Sequence, residues 1–204
     1  AGLKEFGNWD TIYPNLSQLP EKAKVSWFNF DHFYSDVSFP EVLPVIFKEK
    51  VKRLLDIGGN TGKFSLQCTD FSKEVEVTIM DLPSQLQKAI ENIKSKGMEN
   101  RIHTCSLDLL DQSLIFPKGF NAIWMSQLLD CFSEEQIVSI LKRCYDALEN
   151  DGYVYILELF WDRQKYEASS YCINATSLYF TCLANGNSRM YHSEDMLKLI
   201  KESG

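Results

Sequence analysis

The 204-residue chain predicts an α/β fold with a doubly wound, mostly parallel sheet and helices on both faces. Three observations carry that reading. From Lys50 onward, short β-branched and leucine-rich runs alternate with helix-length segments, as parallel strands and their crossovers require. The first of these runs stops at a glycine-rich turn, GGNTG at 58–62, where a strand would hand over to a helix. A chain that is 45% hydrophobic and 24% charged has enough apolar material for one sizeable core.

The elements follow in order. WFNFDHFYSDVSF at 27–39 is aromatic-dense and broken by polar residues, so it reads as an irregular packed helix; four of the six prolines fall in the first 45 residues. VKRLLDI at 51–57 is the first strand, and Thr61 to Phe71 has room for one helix. EVEVTIM at 74–80 alternates as a strand and stops at Asp81-Leu82-Pro83. Ser84-x-x-Gln87 has the spacing of a capping box for a second helix that ends before Gly97. RIHTCSL at 101–107 and NAIWMSQ at 121–127 are the third and fourth strands. Ser133-Glu134-Glu135-Gln136 is a second capping box, followed by Ile137, Ile140, Leu141, Cys144 and Leu148 on one helical face. Asn150-Asp151-Gly152 then predicts a turn into a buried fifth strand, YVYILELF at 153–160.

Composition narrows the function. A net charge of −7, with no basic cluster free of acids, disfavours a nucleic-acid partner. No apolar run reaches the ~20 residues of a membrane span, and AGLKEFGNWD lacks the pattern of a signal peptide. The expectation is a soluble, cytoplasmic protein with no membrane contact. Its six cysteines show no metal-ligand spacing, so they are expected to be buried, reduced thiols, with no metal site. The sequons at Asn15 and Asn174 carry no weight in that compartment.

The strongest motif is LLDIGGNTG at 54–62. A dinucleotide loop of G-x-G-x-x-G type would need glycine at 58, 60 and 63, and finds Asn60 and Lys63 at two of them. The pattern acidic-x-G-x-G-x-G fits Asp56, Gly58, Asn60 and Gly62 with one change, and asparagine tolerates positive φ best among non-glycine residues. That is the S-adenosylmethionine loop of Rossmann-like methyltransferases. Asp81 then ends the second strand, where a ribose hydroxyl pair is bound, and Asp108 ends the third, within reach of an adenine amino group.

With these residues placed, the chain resembles the small-molecule O-methyltransferase family that includes plant caffeate and flavonoid enzymes and bacterial relatives. The matching stretches are LLDIGGNTG, DLP at 81–83, LDLL at 107–110, LDCFSEEQIVSILKRCYDAL at 129–148, GYVYILE at 152–158 and GNSRMYHSEDMLKLIKESG at 186–204. The resemblance implies a class I, Rossmann-like methyltransferase domain over 46–204 that lacks its final β-hairpin. Residues 1–45 become the helical remnant of a dimerisation region, and the full-length protein a homodimer. It implies S-adenosylmethionine as cofactor and S-adenosylhomocysteine as product. Gly58, Gly59, Asn60 and Gly62 would hold the methionine end, Asp81 and Leu82 the ribose and one face of the adenine, and Asp108 and Leu109 the adenine. Ser126, at the end of the fourth strand, falls where the family usually has a lysine near the cofactor.

The departures concern the chemistry. The family's catalytic histidine aligns with Asp130, followed by Cys131; the glutamate that orients it aligns with Glu158; a second glutamate is replaced by Ser188 before Arg189. An unperturbed aspartate, pKa about 3.9, is a weak base for a phenol of pKa about 10. Asp130 would serve only if burial beside Glu158 raised one of the two, and they are expected to titrate as a pair. His192 and His32 are the other candidate bases, with a structural role open for each, and His103 in the third strand reads as structural. Trp27, Phe30, Phe33, Tyr34, Tyr179, Phe180 and Met190 could line a planar acceptor or simply be core. The reading is methyl transfer to a hydroxyl of a small, aromatic acceptor. The alternatives are a relative that binds the cofactor without transferring its methyl group or runs another reaction with it, and a nicotinamide oxidoreductase, disfavoured by Asn60 and Lys63.

Overall fold

The computed structural model describes residues 13–31, 35–185 and 187–204. A 3-10 turn at Tyr13–Gln18 leads into α1, Glu21–Asp31, and α2, Ser35–Ile46. The aromatic segment is therefore helical on either side of His32, Phe33 and Tyr34, which lie outside the described residues. Phe39, Leu43 and Ile46 recur on one face of α2 and are buried.

Five strands follow: β1 Arg53–Ile57, β2 Glu76–Asp81, β3 Ile102–Ser106, β4 Phe120–Ser126 and β5 Leu148–Leu157. Helices α3, Lys63–Phe71, α4, Pro83–Ser95, and α5, Glu134–Ala147, connect them. The sheet order is β3-β2-β1-β4-β5, with β1–β2, β1–β4 and β2–β3 paired in parallel. Chain order reverses between β1 and β4, so the loop leaving β1 opens at the switch point where doubly wound sheets bind ligands. Central strands covered on both faces read as continuous apolar runs: β1 buries Leu54, Leu55 and Ile57, and β4 buries Ala122 to Met125. Trp124 stacks on Phe64 at 4.4 Å, and Phe39 meets both rings edge-on.

The second capping box forms as its spacing predicts. Ser133 N–H donates to Gln136 Oε1 at 2.9 Å and Gln136 N–H to Ser133 Oγ at 3.4 Å. Ile137, Ile140, Leu141 and Cys144 of α5 are buried. The first box does not form. Helix α4 starts two residues earlier than that box would set it, at Pro83, whose fixed φ suits a first helical position, and Leu82 caps it without a side-chain bond.

The fifth strand also departs from expectation. It begins at Leu148 and runs through Asn150-Asp151-Gly152, where a turn is predicted. Gly152 lies against β4: a Cβ there would meet the Phe120 carbonyl at 3.0 Å. Nor is the strand buried, because it has a strand neighbour on one side only among the described residues; Tyr153 is 53% exposed. Cysteines divide in the same way: Cys68 and Cys144 are buried, Cys172 and Cys182 exposed, and no disulfide links the six.

After β5 come a 3-10 turn at Trp161–Arg163, α6 at Glu167–Phe180, a π turn at Thr181–Asn185 and α7 at Ser193–Glu202. The chain divides into two compact units. One comprises residues 16–125 and 147–155 and holds most of the sheet; the other comprises 1–15, 126–146 and 156–204. Among the described residues no helix is long and apolar enough to cross a membrane, and no group of three or more His, Cys, Asp or Glu side chains could hold a metal ion.

Candidate functional site

In the sheet unit, the loop after β1 is held open by backbone geometry. Gly58, Asn60 and Gly62 all take positive φ, at 71°, 49° and 74°. Asparagine is tolerated there because it enters the left-handed region more readily than other side chains. Gly58 N–H donates to the Met80 carbonyl at 2.8 Å, tying the loop to β2. Gly59 has no positive φ to explain it; its reason is space, since a Cβ would sit 2.8 Å from both Asp56 Oδ2 and Ile79 Cγ2. Thr61 is held from α4, where Asn92 Nδ2 donates to its carbonyl at 2.9 Å.

Asp56 and Asp81 frame this loop from below and beside it. Asp56 is 2% exposed and accepts the Ser65 hydroxyl at 2.6 Å. Burial pushes its carboxyl up to about 7; the Ser65 bond opposes the rise and the Asp81 charge adds to it. Ser65 escaped the sequence reading, although its place in the first turn of α3, nine residues after Asp56, was there to be used. Asp81 at the tip of β2 accepts from Asn60 N–H at 2.9 Å and Leu82 N–H at 2.7 Å, so the residue expected to hold a ribose also shapes the loop. Asp108 lies two residues past β3, is exposed, and accepts Leu110 N–H at 2.9 Å, while Leu109 is half-buried. The backbone joins the two strand tips, Leu107 N–H donating to the Asp81 carbonyl at 3.0 Å.

The second unit holds the other predicted residues. Ser126 ends β4, and Gln127 after it takes φ 49°, the one described non-glycine residue besides Asn60 at positive φ. Its N–H donates to the Leu157 carbonyl at 2.8 Å, which turns the chain into the 3-10 segment Leu129–Cys131. Glu158 follows β5 and anchors that segment: its Oε1 accepts Leu128 N–H at 2.9 Å and Leu129 N–H at 2.8 Å. Glu158 Oε2 is buried with no hydrogen-bond partner among the described residues. Burial first, then the charge of Asp130, hold the Glu158 carboxyl well above the usual carboxylate range, and the N–H groups of Leu129, Leu128 and Asp130 pull it back in part.

Ser188 and Tyr13 meet this segment. Ser188 Oγ donates to the Cys131 carbonyl at 3.4 Å and shares a 3.2 Å hydrogen bond with the Tyr13 hydroxyl. Arg189 N–H donates to the Asp130 carbonyl at 2.8 Å. Cys131 Sγ donates to Asp130 Oδ1 at 3.4 Å, and burial and then Asp130 push the thiol up. Tyr13 is held strongly neutral, by burial first and by Cys131 next. Sequence reasoning missed Tyr13, for no local pattern tells that a residue so far back in the chain returns to Ser188.

His192 sits apart from that cluster as the N-cap of α7. Its Nδ1 accepts Glu194 N–H at 3.2 Å, and Nε2 lies 3.8 Å from Asp162 Oδ2. Trp161 meets the imidazole edge-on at 4.9 Å. Nδ1 of the ring is thus spent on the helix cap, and Nε2 faces a carboxylate. Of the aromatic candidates, Tyr179 is exposed and Phe180 meets it edge-on, while the Trp27 and Phe30 side chains lie outside what is described.

The family model for the O-methyltransferase domain matches residues 31–204. The 3-hydroxy-5-methyl-1-naphthoate 3-O-methyltransferase of Streptomyces sahachiroi is 30% identical over 154 residues, which are 76% of this chain and 43% of that protein. The L-tyrosine C(3)-methyltransferase of Streptomyces lavendulae is 22% identical over 157 residues, 76% of this chain and 42% of that protein. The crystal structure of the S-adenosylmethionine-dependent methyltransferase SibL superposes with a TM-score of 0.77 at 26% identity, covering 100% of this chain and 59% of that one. The chain thus spans less than half the length of these two curated relatives. On the family match across 31–204, the chain belongs to the O-methyltransferase domain family.

Proposed function

We propose that the protein transfers a methyl group from S-adenosylmethionine to a hydroxyl of a small aromatic acceptor. The observation that carries the reading is the loop after β1, with Gly58, Asn60 and Gly62 at positive φ and Asn60 fixed on Asp81. The residues present fit the cofactor. Gly59 keeps the loop free of a side chain where none has room, and the turn delivers the chain into the N-terminus of α3. A carboxylate has about four acceptor sites, so two backbone bonds do not exhaust Asp81 as a partner for ribose hydroxyls. Leu82, Asp108 and Leu109 stand beside it at the tips of β2 and β3 to receive the adenine, and Ser126 ends β4. When bound, the cofactor supplies an electrophilic methyl group on a sulfonium, open to in-line displacement; S-adenosylhomocysteine is the product.

Asp130 and Glu158 are the groups assigned to the acceptor side, with Ser188 and Tyr13 fixing the segment that carries Asp130. His192, committed as a helix cap, is the weaker candidate for a base. The naphthoate 3-O-methyltransferase acts on an aromatic hydroxyl by its name, which supports a phenol-like acceptor here, while the L-tyrosine C(3)-methyltransferase by its name methylates a carbon. The resemblance supports a homodimer in the cytoplasm, with residues 1–45 belonging to the dimerisation region and 46–204 to the catalytic domain. Sedimentation as a monomer at micromolar concentration would refute the dimer. The central test is transfer of labelled methyl from S-adenosylmethionine to a panel of phenols, with calorimetry of S-adenosylhomocysteine beside it. Binding with transfer to at least one phenol is expected; no binding refutes the cofactor assignment.

A further inference from the structure

We propose that binding of S-adenosylmethionine drives a proton off Asp56, and that the anion left under the loop favours the cationic cofactor over the product, which has lost that charge. The inference rests on the cofactor reading above and extends it to how cofactor and product are told apart. Geometry puts the carboxyl beneath the loop after β1: a Cβ on Gly59 would stand 2.8 Å from Asp56 Oδ2 and from Ile79 Cγ2. The residue is 2% exposed, and the Ser65 hydroxyl donates to Oδ2 at 2.6 Å. A carboxyl buried against an isoleucine, with one hydroxyl on it, favours the neutral acid. Its partners across the sheet are Ile79 of β2 and Trp124 of β4, neither of which titrates. Asp81, at the tip of β2, adds a negative charge and holds Asn60 of the same loop. From α3 come Lys63, which opens the helix, and Cys68, whose thiol is pushed up by burial and then by Asp56. Burial, with the Asp81 charge adding and the Ser65 bond opposing, takes the Asp56 carboxyl up to about 7.

The cofactor carries an ammonium and a carboxylate, which offset each other, and a sulfonium. Methyl transfer turns the sulfonium into a thioether, so the product differs by one unit of positive charge on nearly the same skeleton. The groups that hydrogen-bond to a loop are the same in both, so charge is what separates them. A unit positive charge within about 10 Å, at an effective dielectric constant of about 20, changes the acid constant of a carboxyl about tenfold. As the cofactor binds, the Asp56 O–H bond breaks, its electron pair stays on the carboxylate, and the proton goes to solvent. The Ser65 hydroxyl is already aimed at the anion that forms. After transfer the cation is gone and the carboxylate takes a proton back, so the product is held without that attraction. A ligand that lowers the pKa of a group binds more tightly as pH rises from the bound pKa to the free one, and its affinity is level on either side.

The test is calorimetry of S-adenosylmethionine and S-adenosylhomocysteine with the wild-type protein and Asp56→Asn, at unit steps from pH 5 to pH 8. At pH 6.5 the titrations are repeated in buffers of differing ionisation enthalpy, which counts the protons released. Asparagine keeps an acceptor for Ser65 and removes the titration. Wild-type protein should release about half a proton per S-adenosylmethionine at pH 6.5. Its affinity for that ligand should rise about tenfold more between pH 5 and pH 8 than the affinity of Asp56→Asn does. For S-adenosylhomocysteine the same difference should be less than about threefold. The amino group of each ligand titrates alike with both proteins and cancels in the comparison. Ser65→Ala covers the case in which Asp56→Asn does not fold: without the donor that favours the anion, the release should move to higher pH. Equal pH dependence in the wild type and Asp56→Asn overturns the proposal, as does an unmoved release in Ser65→Ala or the same release with both ligands. Binding of neither ligand overturns this proposal together with the cofactor reading, whereas binding of both without proton release overturns this one alone.

Discussion

Asp56 is the most exacting test of the loop's electrostatics, because its cost to the fold depends on pH in a direction the structure fixes. The carboxyl is buried under Gly59, holds the Ser65 hydroxyl, and has its pKa pushed up to about 7. A group whose folded pKa lies above its unfolded value binds its proton more tightly in the fold. Folding stability therefore falls as pH rises from the unfolded pKa, about 3.9, to the folded one, and stays low above it. Linkage between those two values makes the ionised form cost about 2–3 kcal/mol more at pH 8 than at pH 5. Asp56→Asn keeps an acceptor for Ser65 and removes the titration. Urea unfolding of both proteins, without ligand, at unit steps from pH 5 to pH 8 gives the difference directly. The variant should gain on the wild type by about that amount across the range, other carboxyls such as Glu158 cancelling in the comparison. A difference that stays constant within about 0.5 kcal/mol would mean that Asp56 is ionised in the fold at pH 5, and the burial argument would fail.

Three further outcomes are expected. Gly59→Ala forces a methyl to within 2.8 Å of Asp56 Oδ2 and Ile79 Cγ2; overpacking of that kind costs about 1–3 kcal/mol, which at about 2–4 °C per kcal/mol is visible in Tm, and an unchanged Tm would refute the close approach. Asp81→Ala removes the anchors of Asn60 and Leu82 along with the ribose acceptor, so S-adenosylhomocysteine affinity should drop at least tenfold by calorimetry, one charge-assisted hydrogen bond being worth about 1.5–3 kcal/mol. His192→Ala should cost about 0.5–2 kcal/mol of stability through the lost cap of α7; abolished methyl transfer in a variant of wild-type Tm would instead make His192 the base.

The sheet was legible because its signals are local. Strand β1 needs only a buried run ending at glycine, and α5 announces itself through a capping box and a helical stripe that close as spaced. Where two local signals competed, the reading went wrong. Ser84 and Gln87 have the spacing of a cap, but Pro83 already satisfies the first helical position, and a helix starts once. Asn150-Asp151-Gly152 has turn chemistry, yet pairing with β4 absorbs it, since a glycine against the Phe120 carbonyl suits close strand approach as well as a turn. Exposure of Tyr153 and of Cys172 depends on what covers an edge strand and a late helix, which periodicity does not encode.

The site divides along the same line, between what one segment does and what several do together. The loop carries its meaning in a few consecutive residues, and Asn60 at φ 49° is the outcome that its tolerance for the left-handed region anticipates. Around Asp130 the determining partners come from four places in the chain: Tyr13, the 3-10 segment, Glu158 and Ser188. A resemblance supplies the alignment of Asp130 and Glu158, but alignment says nothing of protonation. That follows from Oε2 of Glu158 being buried without a partner while Oε1 is spent on the backbone of the segment it supports. A glutamate placed this way serves first as an anchor for backbone N–H groups. Replacing it by glutamine would keep one acceptor for Leu128 and Leu129 and end its titration. A pH dependence of transfer that disappears in Glu158→Gln at unchanged Tm therefore belongs to Glu158, and one that persists belongs to other groups.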